Sequence, residues 1–174
     1  LNPFFIRVNE ISYTADRLGS GVTFKHNISR STSAFLMYSF ERDFLKDLSF
    51  STSLNEERER ELIHNKSGFT VGFNRNTTSN AFNPSSGWRI DGHFTYMGIG
   101  FRSKYHYYKN EIGLVRYHQL DKDWTIAGRI RAGFIQPTRE EETPIEDRFL
   151  LGGASSLRGW GRHQISPVNE EGNP

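Results

Sequence analysis

Apolar and polar side chains alternate along several segments of this chain, and this pattern constrains the fold most. Between Gly87 and Gly98, one set of alternate positions holds Trp88, Ile90, Phe94 and Tyr96, and the other holds Arg89, Asp91, His93 and Thr95. The segment 124–135 alternates in the same way, with Arg129 and Arg131 on its polar side. A period of two places successive side chains on opposite faces of a β-strand, whereas a helix needs 3.6 residues per turn. The chain is therefore predicted to be all-β, with one apolar and one polar face on each strand.

Seven segments carry this alternation and are predicted to be strands: 4–14, 18–28, 32–43, 66–77, 87–98, 104–119 and 124–136. Two of them change phase, the first near Asn9 and Glu10, where a β-bulge would explain it, and the sixth between Tyr107 and Ile112.

The predicted connections differ in length between the two ends of the strands. One end has short turns at 29–31, 83–87 and 121–123. The other end has long polar loops at 43–66 and from Pro137 onward, together with the shorter connections near Asp16 and at 98–100. Short turns at one end and longer loops at the other are typical of outer-membrane barrels.

The composition agrees with a membrane barrel and excludes several other classes. Hydrophobic residues make up 35% of the chain and aromatic residues 14%, and a barrel wall meets lipid only at every second position, so its average hydropathy looks soluble. The absence of Cys excludes disulfide scaffolds and Cys-based metal sites. A net charge of +2 without basic runs argues against nucleic acid as a partner. No apolar stretch reaches the roughly 20 residues of a membrane-spanning helix.

The predicted fold is therefore an antiparallel transmembrane β-barrel, and the chain is expected to be part of a longer one. Seven strands fall below the usual minimum of about 8 for single-chain barrels, and an open sheet would leave two unpaired edges inside a membrane. The first residue is Leu1 rather than Met, and no signal peptide precedes the first strand.

The segment 148–160, Arg-Phe-Leu-Leu-Gly-Gly-Ala-Ser-Ser-Leu-Arg-Gly-Trp, resembles a family signature. The family is that of the outer-membrane protein assembly and translocation barrels, which includes BamA, TamA and FhaC, and the signature belongs to its sixth extracellular loop. Here the tip of that loop is Leu157-Arg158-Gly159-Trp160. Residues 82–88 resemble the family's Phe-x-Pro-x-x-Gly periplasmic turn, and residues 108–120 resemble its next strand. The resemblance covers residues 66–174, whereas residues 1–65 match only in the rhythm of strands and turns.

The resemblance implies a division of the chain and a role for the loop. In the family the barrel has sixteen strands, so residues 1–136 would be strands five to eleven of the wall, and residues 137–174 would be loop six. That loop folds into the lumen, where its Arg pairs with an acidic residue on a late strand. Arg158 is accordingly predicted to lock the loop, and the residues predicted to shape and seat it are Gly152, Gly153, Leu157, Gly159 and Trp160.

The acidic partner of Arg158 is expected beyond Pro174. Asp91 and Glu111, on predicted lumen-facing positions, rank below such a residue. Together with Arg129 and Arg131 they are the predicted polar contacts of the lumen.

The resemblance implies a function for the parent protein: assembly and insertion of β-barrel proteins into the outer membrane. The implied partners are outer-membrane lipids, unfolded β-barrel clients and periplasmic accessory lipoproteins or chaperones. A weak seam between the first and last strands would admit client strands by edge pairing. A bacterial outer membrane is expected in preference to an organelle one. Three alternatives stay open: a two-partner secretion pore of the same family, a passive porin-like channel and a soluble β-sandwich that binds a ligand.

No enzymatic motif, cofactor or metal site is predicted. Asp91 and His93 share a face, but a solvated lumen pair explains them more simply than a metal or acid–base site. The acidic residues 140–142 with Glu146 and Asp147 could bind a divalent cation, but a flexible acidic loop is the simpler interpretation.

Overall fold

The described part of the chain forms a single antiparallel sheet of seven strands that pair in chain order. The computed structural model describes residues 2–9, 14–46, 63–100, 103–139, 143–149, 151–152 and 157–160. The strands are β1 (Asn2–Asn9), β2 (Thr14–Ser29), β3 (Thr32–Lys46), β4 (Ile63–Asn76), β5 (Gly87–Met97), β6 (Tyr107–Gln119) and β7 (Thr125–Pro137). A short 3₁₀ helix, η1 (Ile145–Asp147), follows β7. Within the described ranges, no helix has the length and hydropathy needed to cross a membrane.

The sheet has two distinct ends. We call the end with the connections 10–13, 47–62 and 98–106 the loop end, and the end with the connections 30–31, 77–86 and 120–124 the turn end. All seven predicted strands are present, and the predicted all-β fold is confirmed.

Two predicted connections are wrong in their bounds. Asp16 was placed in a connection, but it lies inside β2, where it pairs in register with Arg7 of β1 and Phe44 of β3. The predicted loop 43–66 is shorter at both ends, because β3 continues to Lys46 and β4 begins at Ile63. In both cases charged side chains made strand residues resemble a solvated loop.

The predicted phase change in the sixth strand does not mark a break in that strand. The pairing of β6 with β7 runs without interruption from Tyr107 to Gln119. Tyr107 occupies a polar-face position and is buried there, so an aromatic side chain simply replaces a polar one. The other predicted phase change, near Asn9 and Glu10, extends into residues outside the described ranges. A register shift does occur between β2 and β3, at Asn27 and Ser29 beside the first turn.

The two faces of the sheet reverse the burial found in a soluble protein, where apolar side chains are buried and polar ones are exposed. The apolar face exposes large hydrophobic side chains, among them Phe24, Val71, Phe94, Ile112 and Ile130. The polar face buries charged and hydroxyl side chains, among them Asp43, His64, Lys66 and Thr70. Exposed apolar area of this extent would aggregate in water, whereas it is what a lipid-facing barrel wall presents.

Candidate functional site

The chain returns to the sheet after β7. Residues 145–149 lie against the polar face near the loop end, where they contact β2, β4 and β6. Lys109 of β6 donates to the carbonyl oxygen of Asp147 at 3.0 Å and lies over the ring of Phe149 at 4.5 Å. Gly133 of β7 leaves the space that the Phe149 ring fills, since a Cβ there would collide with the ring. The returning segment is therefore held by both polar and apolar contacts.

The centre of this contact is the ammonium group of Lys66, which is completely buried. Its Nζ lies 2.6 Å from Asp43 Oδ2 and 3.4 Å from Glu41 Oε1 on the neighbouring strand. It also lies 2.7 Å from Asp147 Oδ2 and 3.1 Å from Glu146 Oε1 of the returning segment. One cation thus joins two carboxylates of the wall to two carboxylates of η1. We call Glu41, Asp43, His64, Lys66, Glu146 and Asp147 the Lys66 cluster.

Further donors complete the cluster. His64 Nε2 lies 2.8 Å from Glu146 Oε1 and 3.6 Å from Asp43 Oδ2. The hydroxyl of Tyr107 donates to Asp147 Oδ2 at 2.7 Å. Arg17 donates to the carbonyl oxygen of Glu146 at 3.1 Å, and its guanidinium lies 3.8 Å from Asp147 Oδ1. The two acidic residues of η1 are therefore bound by side chains from β2, β4 and β6.

A buried cluster of this kind specifies position more than it adds stability. Desolvating several charges costs several kcal/mol per ion and offsets most of their mutual attraction. Removing one partner, however, leaves an uncompensated buried charge, which costs about 3–5 kcal/mol. Any other placement of Glu146 and Asp147 would leave Lys66 without these two partners, so the cluster favours one position of the returning segment.

The pKa of the Asp147 carboxyl is shifted by its surroundings. Burial alone would raise the pKa, but the charges of Lys66 and Arg17 and the hydrogen bonds from Lys66 and Tyr107 outweigh it and lower the pKa below its ordinary value. Asp147 is therefore ionised at neutral pH and remains ionised in mild acid.

Three residues of the cluster bring their metal-ligating atoms close together. The ligand atoms of Asp43, His64 and Glu146 all lie within 4.8 Å of one another. The Lys66 ammonium, however, already contacts both carboxylates, and a divalent cation between them would be repelled by it. The arrangement fits an ion-pair cluster better than a metal centre. It also corrects the interpretation of Glu146 and Asp147 as part of a flexible acidic loop, whereas residues 140–142 lie outside the described ranges.

A cleft of about 320 Å³ opens on the polar face beside the cluster. Glu41, Tyr107, Lys109 and Asp147 border it on the cluster side, and Glu111 borders it further along β6. Glu111 is half-exposed, and its carboxylate lies 4.0 Å from Lys109. Glu111 thus lies on the polar face of the sheet.

The predicted loop residues lie apart from the cluster. Leu157, Arg158, Gly159 and Trp160 form an exposed turn, in which Gly159 has a φ of 93°. Within the described part of the chain the Arg158 side chain makes no hydrogen bond or ion pair, so neither Asp91 nor Glu111 is its partner here. Gly152 is buried and has a φ of 119°, a conformation that favours glycine. Gly153 lies outside the described residues.

The remaining predicted lumen residues lie on the polar face, away from the returning segment. Asp91, Gly113 and Arg131 occupy one row across β5, β6 and β7. The missing side chain of Gly113 leaves room for the Asp91 carboxylate, which a Cβ would meet at 2.7 Å. Arg129 lies in the next row towards the turn end. The structure does not bring these residues to the Lys66 cluster.

The residues that the structure does bring together were missed in the sequence. Asp43 and Lys66 were assigned to the ends of a loop, and His64 was placed inside it. A signal was present, since Glu41 and Asp43 alternate at the end of one predicted strand, and Lys66 begins the next one with His64 two positions before it. Two acidic residues that alternate opposite a histidine and a lysine across a hairpin indicate a longer strand pair with a polar lumen face.

Comparison with known proteins places this fold and site in a family context. The family model for the Omp85 superfamily domain matches residues 4–174. The outer membrane protein assembly factor BamA of Nitratidesulfovibrio vulgaris is 26% identical over 160 residues, which cover 91% of this chain and 20% of that protein. The sorting and assembly machinery component 50 homologs of Bos taurus and Homo sapiens are 32% and 34% identical over 62 residues, 36% of this chain and 13% of theirs.

The fold also matches a solved structure. The crystal structure of BamA from Haemophilus ducreyi lacking POTRA domains 1–3 superposes with a TM-score of 0.76 at 20% sequence identity. The match covers 92% of this chain and 33% of that one. The chain therefore spans a fifth of the Nitratidesulfovibrio relative and a third of the solved chain.

Proposed function

Since the chain belongs to the Omp85 superfamily, we propose that it forms part of the wall of an outer-membrane barrel that assembles and inserts other β-barrel proteins. Residues 1–136 are strands five to eleven of that wall, and residues 137–174 are its loop six. The loop end of the sheet then faces the outside of the cell, and the polar face lines the barrel lumen. Similarity to the BamA of a bacterium favours a bacterial outer membrane. The bovine and human relatives make an organelle outer membrane the alternative.

The observation that carries this proposal is the return of residues 145–149 to the lumen face. A loop segment held against the lumen face by a buried cation partly fills the channel that a passive pore keeps open for water. The Lys66 cluster ties the start of loop six to β3 and β4, and so orients the segment that leads to Leu157-Arg158-Gly159-Trp160. Two contacts then hold different parts of the loop. The cluster anchors its base, and Arg158 locks its tip against an acidic residue of a later strand.

The proposed partners follow from the same role. Unfolded β-barrel proteins are the clients, and they enter at a seam between the first and last strands by edge pairing. Periplasmic lipoproteins or chaperones deliver them, and outer-membrane lipids surround the apolar face.

The test uses the full-length parent protein with Arg158→Ala. We expect assembly of client barrels to fall more than the stability of the parent barrel, because Arg158 acts on the loop tip rather than on the wall. The measurements are the folded amounts of client porins in the membrane and the heat-modifiability of the parent barrel. Unchanged client levels would refute the role of Arg158. Unchanged client levels together with the loss of one secreted passenger would instead indicate a secretion pore of the same superfamily.

A further inference from the structure

Charged side chains lie on both faces of the strands, but the polar face mixes acidic and basic ones, whereas the apolar face holds almost only basic ones. The basic side chains of the polar face are Arg17, Lys25, Lys66, Arg89, Lys109, Arg129 and Arg131. Among the described strand residues, the acidic side chains of the polar face are Glu41, Asp43, Asp91 and Glu111, and the only acidic one of the apolar face is Asp16. The basic side chains of the apolar face are Arg7, Arg42, Lys46, Arg75 and Arg116. The outward face therefore carries a surplus of positive charge that the pairing within the sheet does not neutralise.

These cations lie at two levels rather than across the whole face. Arg75 pairs in register with Thr32 of β3, and Arg42 lies ten positions further along the same strand. At about 3.3 Å per residue and a tilt of about 40°, this separation corresponds to roughly 25 Å along the membrane normal, which is the height of the apolar band of an outer-membrane barrel. The outward side chains between the two levels on β3 are Ala34, Leu36, Tyr38 and Phe40. The cations thus border the apolar band on both sides.

The loop-end level holds two cations on one carboxylate and a third cation in the neighbouring row. Arg7 donates to Asp16 through Nε at 2.6 Å and through Nη2 at 3.0 Å, and Lys46 Nζ lies 3.1 Å from Asp16 Oδ2. Arg42, one outward position from Phe44, lies over that ring at 5.4 Å. Asp16 is buried, whereas the side chains of Arg7 and Lys46 are each 57% exposed. A structural ion pair would need one cation for each carboxylate, and here there are three.

Among the described residues, the turn-end level has no such group. Arg116 stacks on Trp88 at 4.6 Å, and Arg75 lies on another strand pair, in the row of Thr32 and Ile90. The two cations are separate, and no carboxylate in the described ranges contacts both. The two levels therefore differ in what they can bind.

We propose that Arg7, Arg42 and Lys46 form a binding site for the phosphate groups of an anionic lipid in the leaflet at the loop end. This inference rests on the proposed function only in requiring that the apolar face meets a bilayer. Asp16 holds Arg7 and Lys46 beside each other, and the unused donors of both, with the guanidinium of Arg42, face outward at the headgroup level. Guanidinium and ammonium groups are the side chains that bind phosphate oxygens most strongly. The group keeps a surplus of two positive charges after Asp16 is counted, which complements a headgroup with more than one negative charge.

The test compares the full-length parent protein with Arg42→Gln/Lys46→Gln, which leaves the pair of Arg7 and Asp16 intact. A matched control, Lys25→Gln/Arg89→Gln, removes the same charge from polar-face positions. Each protein is inserted into membranes of phosphatidylcholine mixed with phosphatidylglycerol. The lipids that stay bound after release from the membrane are counted by native mass spectrometry.

We expect the parent and the control to retain phosphatidylglycerol in preference to phosphatidylcholine. In the double variant, the ratio of bound phosphatidylglycerol to bound phosphatidylcholine should fall by roughly five-fold for each charge removed. The preference of the parent should also fall as salt is raised, since screening weakens contacts between exposed charges. Heat-modifiability checks that each variant is folded.

Equal preference in all three proteins, while they remain inserted, would overturn the proposal and would leave an acidic protein segment as the partner of this group. If inorganic phosphate at low concentration displaced the retained lipid, the site would bind free phosphate rather than the phosphate group of a lipid, and the proposal would be overturned. A protein that enters neither membrane would contradict the proposed barrel itself, so the two failures are distinguishable.

Discussion

Replacing Lys66 by Met is the most informative perturbation of this structure. The variant keeps the length and much of the volume of the side chain but removes the only charge that touches all four carboxylates of the Lys66 cluster, at 2.6, 2.7, 3.1 and 3.4 Å from Nζ. Asp43 and Glu41 on the wall would then face Glu146 and Asp147 as like charges in a buried site. The cheapest relief is release of residues 145–149 into solvent, because β3 and β4 are held by a complete ladder of backbone hydrogen bonds.

The magnitude follows from the burial of the group. Breaking a buried ion pair by removing one partner costs about 3–5 kcal/mol, and each 1.4 kcal/mol is about a ten-fold change in an equilibrium constant. The returning segment should therefore open more often by a factor between roughly 10² and 10⁴, while the strands keep their protection. Hydrogen exchange measures such local opening separately from global unfolding.

The assay is hydrogen–deuterium exchange with mass spectrometry on the folded parent protein, comparing peptides that cover 143–149 with peptides from β4. Lys25→Met is the matched control, because Lys25 is an exposed lysine on the same face near the turn end. A second arm adds Asp147→Asn to Lys66→Met, and the coupling between the two should make the double variant less open than the sum of the single effects predicts. If Lys66→Met exchanges in 143–149 like the parent and like Lys25→Met, the Lys66 cluster does not hold this segment.

Three further predictions follow from neighbouring contacts. Tyr107→Phe removes the hydroxyl that donates to Asp147. A hydrogen bond to a charged group contributes about 1.5–3 kcal/mol, so hydrogen exchange in 143–149 should increase by roughly ten- to a hundred-fold. Tyr108→Phe, on the opposite face, should leave that exchange unchanged. Because the pKa of Asp147 is lowered, its contribution is fully present at a pH well above the ordinary Asp pKa of 3.8 and is lost as the pH falls below that value and through the lower folded pKa. The fraction of opened segment measured by exchange should therefore be the same at neutral pH and in mild acid, and should rise as the pH falls below the ordinary Asp pKa. Gly68→Ala should lower the yield or the thermal stability of the folded barrel, since a Cβ there collides with the backbone of β5. Gly128→Ala should be tolerated, because nothing lies within 4 Å of a Cβ at that position. Equal heat-modifiability of the two variants would contradict this packing.

The alternation of side chains was enough to predict the faces of the sheet. Trp88, Phe94, Ile126 and Ile130 lie on the apolar face, and Asp91 lies on the polar face, as the sequence indicates. The reason is local: once a segment is a strand, the pleat places every second side chain on the same side, whatever the rest of the chain does. The short turns at the turn end were visible for the same reason, since Gly, Pro, Ser, Asn and Asp mark them within a few residues.

The family resemblance was also legible in sequence, because a loop signature is a contiguous string. Its structural consequences were only partly legible. The string directed attention to Arg158, which lies in an exposed turn of this structure, whereas the anchoring contacts of the loop come from Glu146 and Asp147, upstream of the signature. The role of a charged residue can be recognised in a sequence only when its neighbours form a known motif. Glu146 and Asp147 belong to no such motif.

The sequence by itself determined the strands, their two faces and the family. Only the tertiary structure decided that Lys66 is a buried cation rather than the end of a solvated loop, because its partners lie on β3 and, about eighty residues away, in η1. A lysine has the same local sequence pattern whether water or four carboxylates surround it. The register between β3 and β4, the path of the chain after β7 and the exclusion of water together determine which of the two it is, and none of these is a property of nearby sequence.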